Sequence, residues 1–190
     1  MDRPFAELDE LYREVVLDHY RSPRGREPIA DPSVQREGYN PICGDEVKIA
    51  LEMDDGHVRC AQVCSRGCAI SVASGSMMAE ILPGLSREEI ANRIEIFRKI
   101  LHGEAPPSDL ELGDLEALRG VASFPVRVKC ALLPWMTLSE ALRAMSESRD
   151  AAAADVTSTE RGDGDGTAGP AGGTEAIAGA KVVEKEPGNP

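Results

Sequence analysis

Apolar positions in this chain follow two periods. Leu8, Leu11, Tyr12, Val15, Val16 and His19 recur at helical spacing, which predicts an amphipathic helix over 6–21, stopped by Ser22-Pro23-Arg24-Gly25. Further on, Val47, Ile49, Leu51 and Met53 alternate with Glu46, Lys48, Ala50 and Glu52, the pattern of a half-buried strand. Asp54-Asp55-Gly56 is a hairpin turn into a second strand over 57–63, and a third strand is expected from 28–39.

After the hairpin the helical period returns. Small and apolar residues from Ala69 to Leu82 predict a closely packed helix that ends at Pro83-Gly84. Ser86 and Glu89 make a capping box for the next helix, which runs through Ile90, Ile94, Phe97 and Leu101 to Gly103. A short helix is expected over 114–119. The last helix carries Leu133, Trp135, Leu138, Leu142 and Met145, and Pro134 requires it to begin near Leu132 or Leu133. Together these elements predict an α+β domain: a small antiparallel sheet of three strands with helices packed on one face. Met77 and Met78 are expected in its core.

Composition divides the chain. From residue 147 onward the sequence is rich in Ala, Gly, Pro and acidic residues and has no aromatic side chain, so 1–146 reads as the domain and 147–190 as a disordered acidic tail. A formal charge of −12 disfavours nucleic-acid binding, which needs a basic face. No apolar run is long enough to span a bilayer, and Met1-Asp2-Arg3-Pro4 is not the start of a signal peptide, so a cytoplasmic location is expected. Five cysteines, an odd number, then read as thiols for metal or sulfur work and not as disulfides.

Four residues carry the chemistry. Cys43 and Asp45 lie just ahead of a strand in Asn40-Pro41-Ile42-Cys43-Gly44-Asp45, Cys68 follows Arg66-Gly67, and Cys130 closes Arg127-Val128-Lys129-Cys130. Three thiolates and one carboxylate suit a tetrahedral metal site. Zinc accepts these donors and thiolates also hold iron–sulfur clusters, so the set points to metal or sulfur chemistry without choosing between them. Cys68 sits at a helix N-terminus, where unpaired N–H groups favour its anion. Each residue also has a plainer reading: isolated cysteines are commonly inert packing, and Asp45 alone would serve to cap the turn into the strand. Cys60 shares strand parity with Val58 and is expected to be buried, and Cys64 is read as an incidental thiol. His19 is assigned to packing or a partner face ahead of ligation; His57 and His102 are expected to be exposed.

Five stretches carry a family resemblance: 11–20, Asn40-Pro41-Ile42-Cys43-Gly44-Asp45, Gly67-Cys68-Ala69-Ile70-Ser71 with Ala73-Ser74 and Met77-Met78, 112–118, and Arg127-Val128-Lys129-Cys130-Ala131. On these residues the chain resembles the SufU branch of the IscU/NifU N-terminal family of iron–sulfur cluster assembly proteins. The long interval between Cys68 and Cys130 is that branch's mark, and Lys129 stands where scaffold members have histidine. What the resemblance implies is a Zn2+ site formed by Cys43, Asp45, Cys68 and Cys130, with Cys43 accepting sulfur and Arg127 supporting it. The implied partner is a PLP-dependent cysteine desulfurase of SufS type, with a downstream iron–sulfur scaffold or apo-protein as recipient. A [2Fe–2S] scaffold on the same cysteines, or a zinc-stabilised interaction module, are the alternatives. Arg24, Arg26, Arg66 and Lys129 are further sources of charge to offset the anionic site.

Overall fold

The computed structural model describes residues 3–107 and 112–159, with side chains described over 10–107 and 112–147. Three strands form one antiparallel sheet in the order β1 (Val34–Asn40), β2 (Asp45–Asp54), β3 (His57–Arg66). Pairing of β1 with β2 runs from Val34 opposite Leu51 to Asn40 opposite Asp45. The β2–β3 hairpin turns at Asp55 (φ 44°) and Gly56 (φ 80°), the two left-handed residues that a tight hairpin of this hand requires.

The hairpin ladder slips once. Glu52 pairs with Cys60 but Met53 pairs with Val58, leaving Arg59 as the extra residue of a bulge. Val58 faces the core before the bulge, whereas Val63 and Ser65 face it afterwards, so the parity of the strand is reversed. Cys60 is therefore exposed, contrary to the burial that its spacing from Val58 predicts.

Helices cover the inner face of the sheet. Helix α2 (Ala69–Ile81) is buried from Ser71 to Ala79, which suits a helix that is small and apolar all round and is packed against β3, α1 (Arg3–Arg21) and α4 (Pro125–Thr159). Its approach to β3 depends on Gly75, where a Cβ would collide with Ser65 Oγ and meet Val63 Cγ1 at 3.2 Å. Helix α3 (Arg87–Leu101) begins with the capping box expected from Ser86 and Glu89, both reciprocal bonds being made. Met77 and Met78 lie in the core, at 1% and 0% exposure, with Ile49, Leu51, Phe97, Leu118 and Leu138. The outer face of the sheet carries exposed Glu37, Lys48 and Arg66.

Two helical elements depart from expectation. The segment expected as a short helix over 114–119 is a 3₁₀ run, Gly113–Ser123, whose Leu115, Leu118 and Val121 pack inward at its three-residue repeat. Helix α4 starts at Pro125, not near Leu132, and carries Pro134 in its interior. Pro125 suits a first helical position, and Pro134 removes only the bond to the Cys130 carbonyl. In the same turn Trp135 Nε1 donates to Ser74 Oγ at 3.0 Å, and Ser74 Oγ donates to the Ala131 carbonyl at 2.7 Å. An interior proline costs about 3 kcal/mol, while truncating a buried aromatic costs about 3–5 kcal/mol, so the packing of Trp135 is large enough to carry the helix through the proline. Trp135 has no exposed surface and its ring lies 4.6 Å from that of Phe97.

The boundary expected at Ser146 falls inside α4, which continues through Ala151-Ala152-Ala153-Ala154, the best helix-forming residue type. The rest of the expected tail, 160–190, lies outside the described residues. The antiparallel order brings the end of β1, the start of β2, the end of β3 and the start of α2 to one edge of the sheet. The first turns of α4 lie against the same edge.

Candidate metal centre

At that edge the sequence-predicted residues meet. Ligand atoms of Cys43, Asp45 and Cys130 all lie within 4.8 Å of one another. Cys43 and Cys130 Sγ are 3.2 Å apart, and Cys68 Sγ adjoins the group 3.6 Å from Asp45 Oδ2. A zinc ion with tetrahedral Zn–S bonds of about 2.3 Å separates its sulfurs by about 3.8 Å, so Cys43, Asp45 and Cys130 are close enough to share such an ion and are of the type it prefers, while Cys68 stands just outside that group.

Local structure holds each donor. Cys43 sits in the β1–β2 loop, where the Gly44 N–H donates to the Asn40 carbonyl at 2.8 Å and the Ile42 N–H donates to Asn40 Oδ1 at 3.2 Å. Asn40 Nδ2 points onward to Cys130 Sγ at 3.6 Å, so a single asparagine both shapes the loop and contacts a thiol. Asp45 is fully buried. Its Oδ1 accepts the Cys68 N–H at 2.7 Å and Oδ2 is left toward the thiols. Gly67 makes this possible: at φ +131° it lies so close that a Cβ would fall 2.8 Å from the Asp45 Cα and clash with the carboxylate. Cys68 is the N-cap of α2 and makes no side-chain capping bond, which leaves its sulfur for Asp45 and Arg127.

Electrostatics match a cation-binding cage. Burial pushes the Cys130 thiol well above its ordinary range, and its contacts with Asp45, Cys43 and Cys68 push it further. The guanidinium of Arg127 is raised by the charge of Cys68 and a hydrogen bond to it, then by Cys130 and Cys43. A cage that disfavours the Cys130 thiolate, with one arginine at its rim, is thus short of positive charge.

The sequence profile described as the NifU-like N terminal domain matches residues 11–131 of this chain. The chain belongs to that family. Among NifU-like N-terminal domain proteins it is 39% identical over 135 residues to the zinc-dependent sulfurtransferase SufU of Bacillus subtilis, covering 71% of this chain and 91% of that protein. It is 36% identical over 138 residues to the iron–sulfur cluster assembly scaffold protein IscU of Streptococcus pyogenes, covering 73% and 86%. A crystal structure described as a candidate scaffold protein for the SUF system from Fervidobacterium islandicum superposes with a TM-score of 0.64 at 31% identity, covering 68% of this chain and 94% of that one.

The remaining predicted residues of this NifU-like N-terminal domain fall elsewhere. Arg24 pairs with Asp18 at 2.6 Å and with Glu80 at 3.2 Å, and so is engaged away from the thiols. Arg26 reaches the Ser65 carbonyl at 3.4 Å, and Lys129 and Arg66 are exposed. Cys64 is half-buried on the outer face of the sheet, opposite Lys48. His57 and His102 are exposed as expected. His19 is buried in a separate cluster, with Nδ1 2.7 Å from Ser76 Oγ and Nε2 2.9 Å from Asp114 Oδ2. The Asp114 carboxylate only accepts, so Nε2 carries the hydrogen, while Ser76 Oγ accepts the Arg24 N–H at 2.9 Å and donates to Nδ1. The packing reading of His19 accounts for this network. Two contributors had no assigned role from sequence, Asn40 and Gly67. Their signals were an Asn-Pro pair at a loop entrance and a glycine adjoining a cysteine.

Proposed function

We propose that this protein takes sulfur from a cysteine desulfurase and passes it into iron–sulfur cluster assembly, with zinc held by Cys43, Asp45, Cys68 and Cys130. The observation that carries this reading is the convergence of thiols from three distant segments around one carboxylate, with unequal access. Cys130 is fully buried, whereas Cys43 is half-buried in a loop beside exposed Ile42. Of the two sulfurs 3.2 Å apart, only Cys43 is placed to meet a partner's chain.

Bound zinc would keep the thiols ionised without any redox chemistry of its own. The partner is a PLP-dependent desulfurase that carries a persulfide on its own cysteine. Cys43, as thiolate, attacks the outer sulfur; a new S–S bond forms on Cys43, the partner's S–S bond breaks, and the partner's cysteine leaves as thiolate. No electron or proton is left over. Arg127 sits at the rim, where it offsets the charge of the incoming persulfide. The cytoplasm, where thiols stay reduced, suits five free cysteines.

The test combines metal analysis with sulfur loading. Freshly isolated protein is expected to hold about one zinc per chain, and to gain the mass of one sulfur on incubation with desulfurase and cysteine, with Cys43→Ala gaining none. Iron with acid-labile sulfide in place of zinc would favour the scaffold reading. Normal sulfur uptake by Cys43→Ala would overturn the assignment of the acceptor.

A further inference from the structure

The thiols of the centre are not held alike. Asn40 closes β1 opposite Asp45 and is itself buried. Its side chain is fixed at both ends. Oδ1 accepts the Ile42 N–H at 3.2 Å, which settles the orientation of the amide, because the reverse would set two donors against each other. Nδ2 is therefore the end turned toward Cys130, 3.6 Å from its Sγ and 90 residues away along the chain. One side chain thus ties the loop that carries Cys43 to the helix that carries Cys130, and the bond is present in the structure as it stands.

A second sulfur has a donor of its own, since Arg127 is hydrogen-bonded to Cys68. Cys43 differs. Its sulfur contacts that of Cys130 at 3.2 Å, and among the described residues no N–H donates to it. Exposure does not make this distinction, for Cys68 is half-buried like Cys43. An N–H bond to a metal-bound sulfur fixes its direction and draws off part of its electron density, so the sulfur stays on the cation and is the weaker nucleophile. The sulfur without such a bond is the one that can exchange.

We propose that Asn40 is a positioning residue of the metal centre: its amide N–H holds the Cys130 sulfur as a resident ligand, while Cys43, with no such donor, is left to exchange. The inference rests on the zinc reading above and extends it to a side chain that coordinates nothing. Asn40 then has two tasks on two atoms, the turn through Oδ1 and the sulfur through Nδ2, and substitution separates them. Serine can accept the Ile42 N–H as asparagine does but is too short to reach Cys130, whereas alanine can do neither.

The experiment uses the full chain, wild type beside Asn40→Ser and Asn40→Ala, with zinc affinity measured by chelator competition and the thiolate-to-metal absorption recorded with Co2+ in place of zinc. Asn40→Ser is expected to lose about tenfold or more in zinc affinity. Its cobalt band should move to longer wavelength at undiminished intensity, because every thiolate is still bound and one has regained the electron density that the amide withdrew. Asn40→Ala, which also lacks the turn, should lose more affinity. Zinc affinity and a cobalt band at wild-type values in Asn40→Ser, with only Asn40→Ala impaired, would overturn the proposal and leave Asn40 a turn former. So would a band of unmoved wavelength and lower intensity, the sign of a thiolate dropped from the metal. A wild-type chain that binds neither zinc nor cobalt would remove the metal reading and this inference together, whereas an unaltered Asn40→Ser beside a zinc-binding wild type removes this inference alone.

Discussion

At the scale of single residues, the centre depends on a glycine as much as on its cysteines. Gly67 at φ +131° occupies backbone space closed to other residues and leaves room for the Asp45 carboxylate. Gly67→Ala adds strain of about 1–3 kcal/mol and displaces Asp45, so it should weaken zinc binding by more than it lowers the apo stability; chelator competition beside urea unfolding checks this. The 3.2 Å approach of Cys43 to Cys130 has its own consequence. Stripped of metal and given a mild thiol oxidant, the protein should form a Cys43–Cys130 disulfide that peptide mapping identifies, and zinc should protect against it. A cross-link from Cys43 to Cys68 instead would show that the cage closes differently.

Elements were legible from sequence where one physical signal dominated. The Ser86–Glu89 box is an instance: both reciprocal bonds form, and the Ser86 N–H and then its hydroxyl hold the Glu89 carboxyl below the usual carboxylate range. Ser86→Ala should cost about 1 kcal/mol in urea unfolding. Because the folded value of Glu89 is depressed, its contribution is present above the unfolded carboxylate range and fades as pH falls through the folded value, so the gap between wild type and Glu89→Ala should narrow below about pH 4. Where two signals competed, sequence reasoning erred. Pro134 reads as a barrier to a helix reaching back to Pro125, yet the buried Trp135 outweighs it, a tertiary effect with no local trace. The parity of β3 was misread for a similar reason, since the extra residue at Arg59 shows only in the pairing with β2. The meeting of Cys43, Asp45 and Cys130, with Cys68 beside them, could be anticipated because each stands in a distinctive short motif, although the hydrogen bonds of Asn40, Asp45 and Ser74 around them could not.

For the molecule as a whole, the candidate metal centre and the core are separate. The centre joins the β1–β2 loop, the β3–α2 junction and α4 at one edge of the sheet, while Ile49, Leu51, Met78, Leu118 and Trp135 fill the core between sheet and helices. Removing zinc should therefore lower the melting temperature without unfolding the domain. At a free zinc concentration a thousand times Kd the linked stabilisation is about 4 kcal/mol, and calorimetry with and without chelator measures it. Complete unfolding on chelation would instead mark the metal as the main support of the fold. The His19 cluster is the counterpart away from the centre, tying α1 to α2 through Ser76 and to the 3₁₀ segment through Asp114. His19→Ala leaves those partners unpaired and should cost about 2–4 kcal/mol in stability while sparing zinc affinity.

The bulge at Arg59 implies an asymmetry in how this chain tolerates change. Exchanging Arg59 for another side chain alters a solvent-facing position, and deleting it would straighten the ladder, with Val58 still opposite Met53 and Cys60 opposite Glu52, so that Val63 and Ser65 keep facing α2. Gly67 and Cys68 would stay in line with Asp45, whereas the loss of Cys64 could hold that line only by turning Val63 outward and Gln62 toward α2. At the bulge the strand carries one residue in reserve, so a one-codon loss there should be tolerated where the same loss nearer the thiols would not.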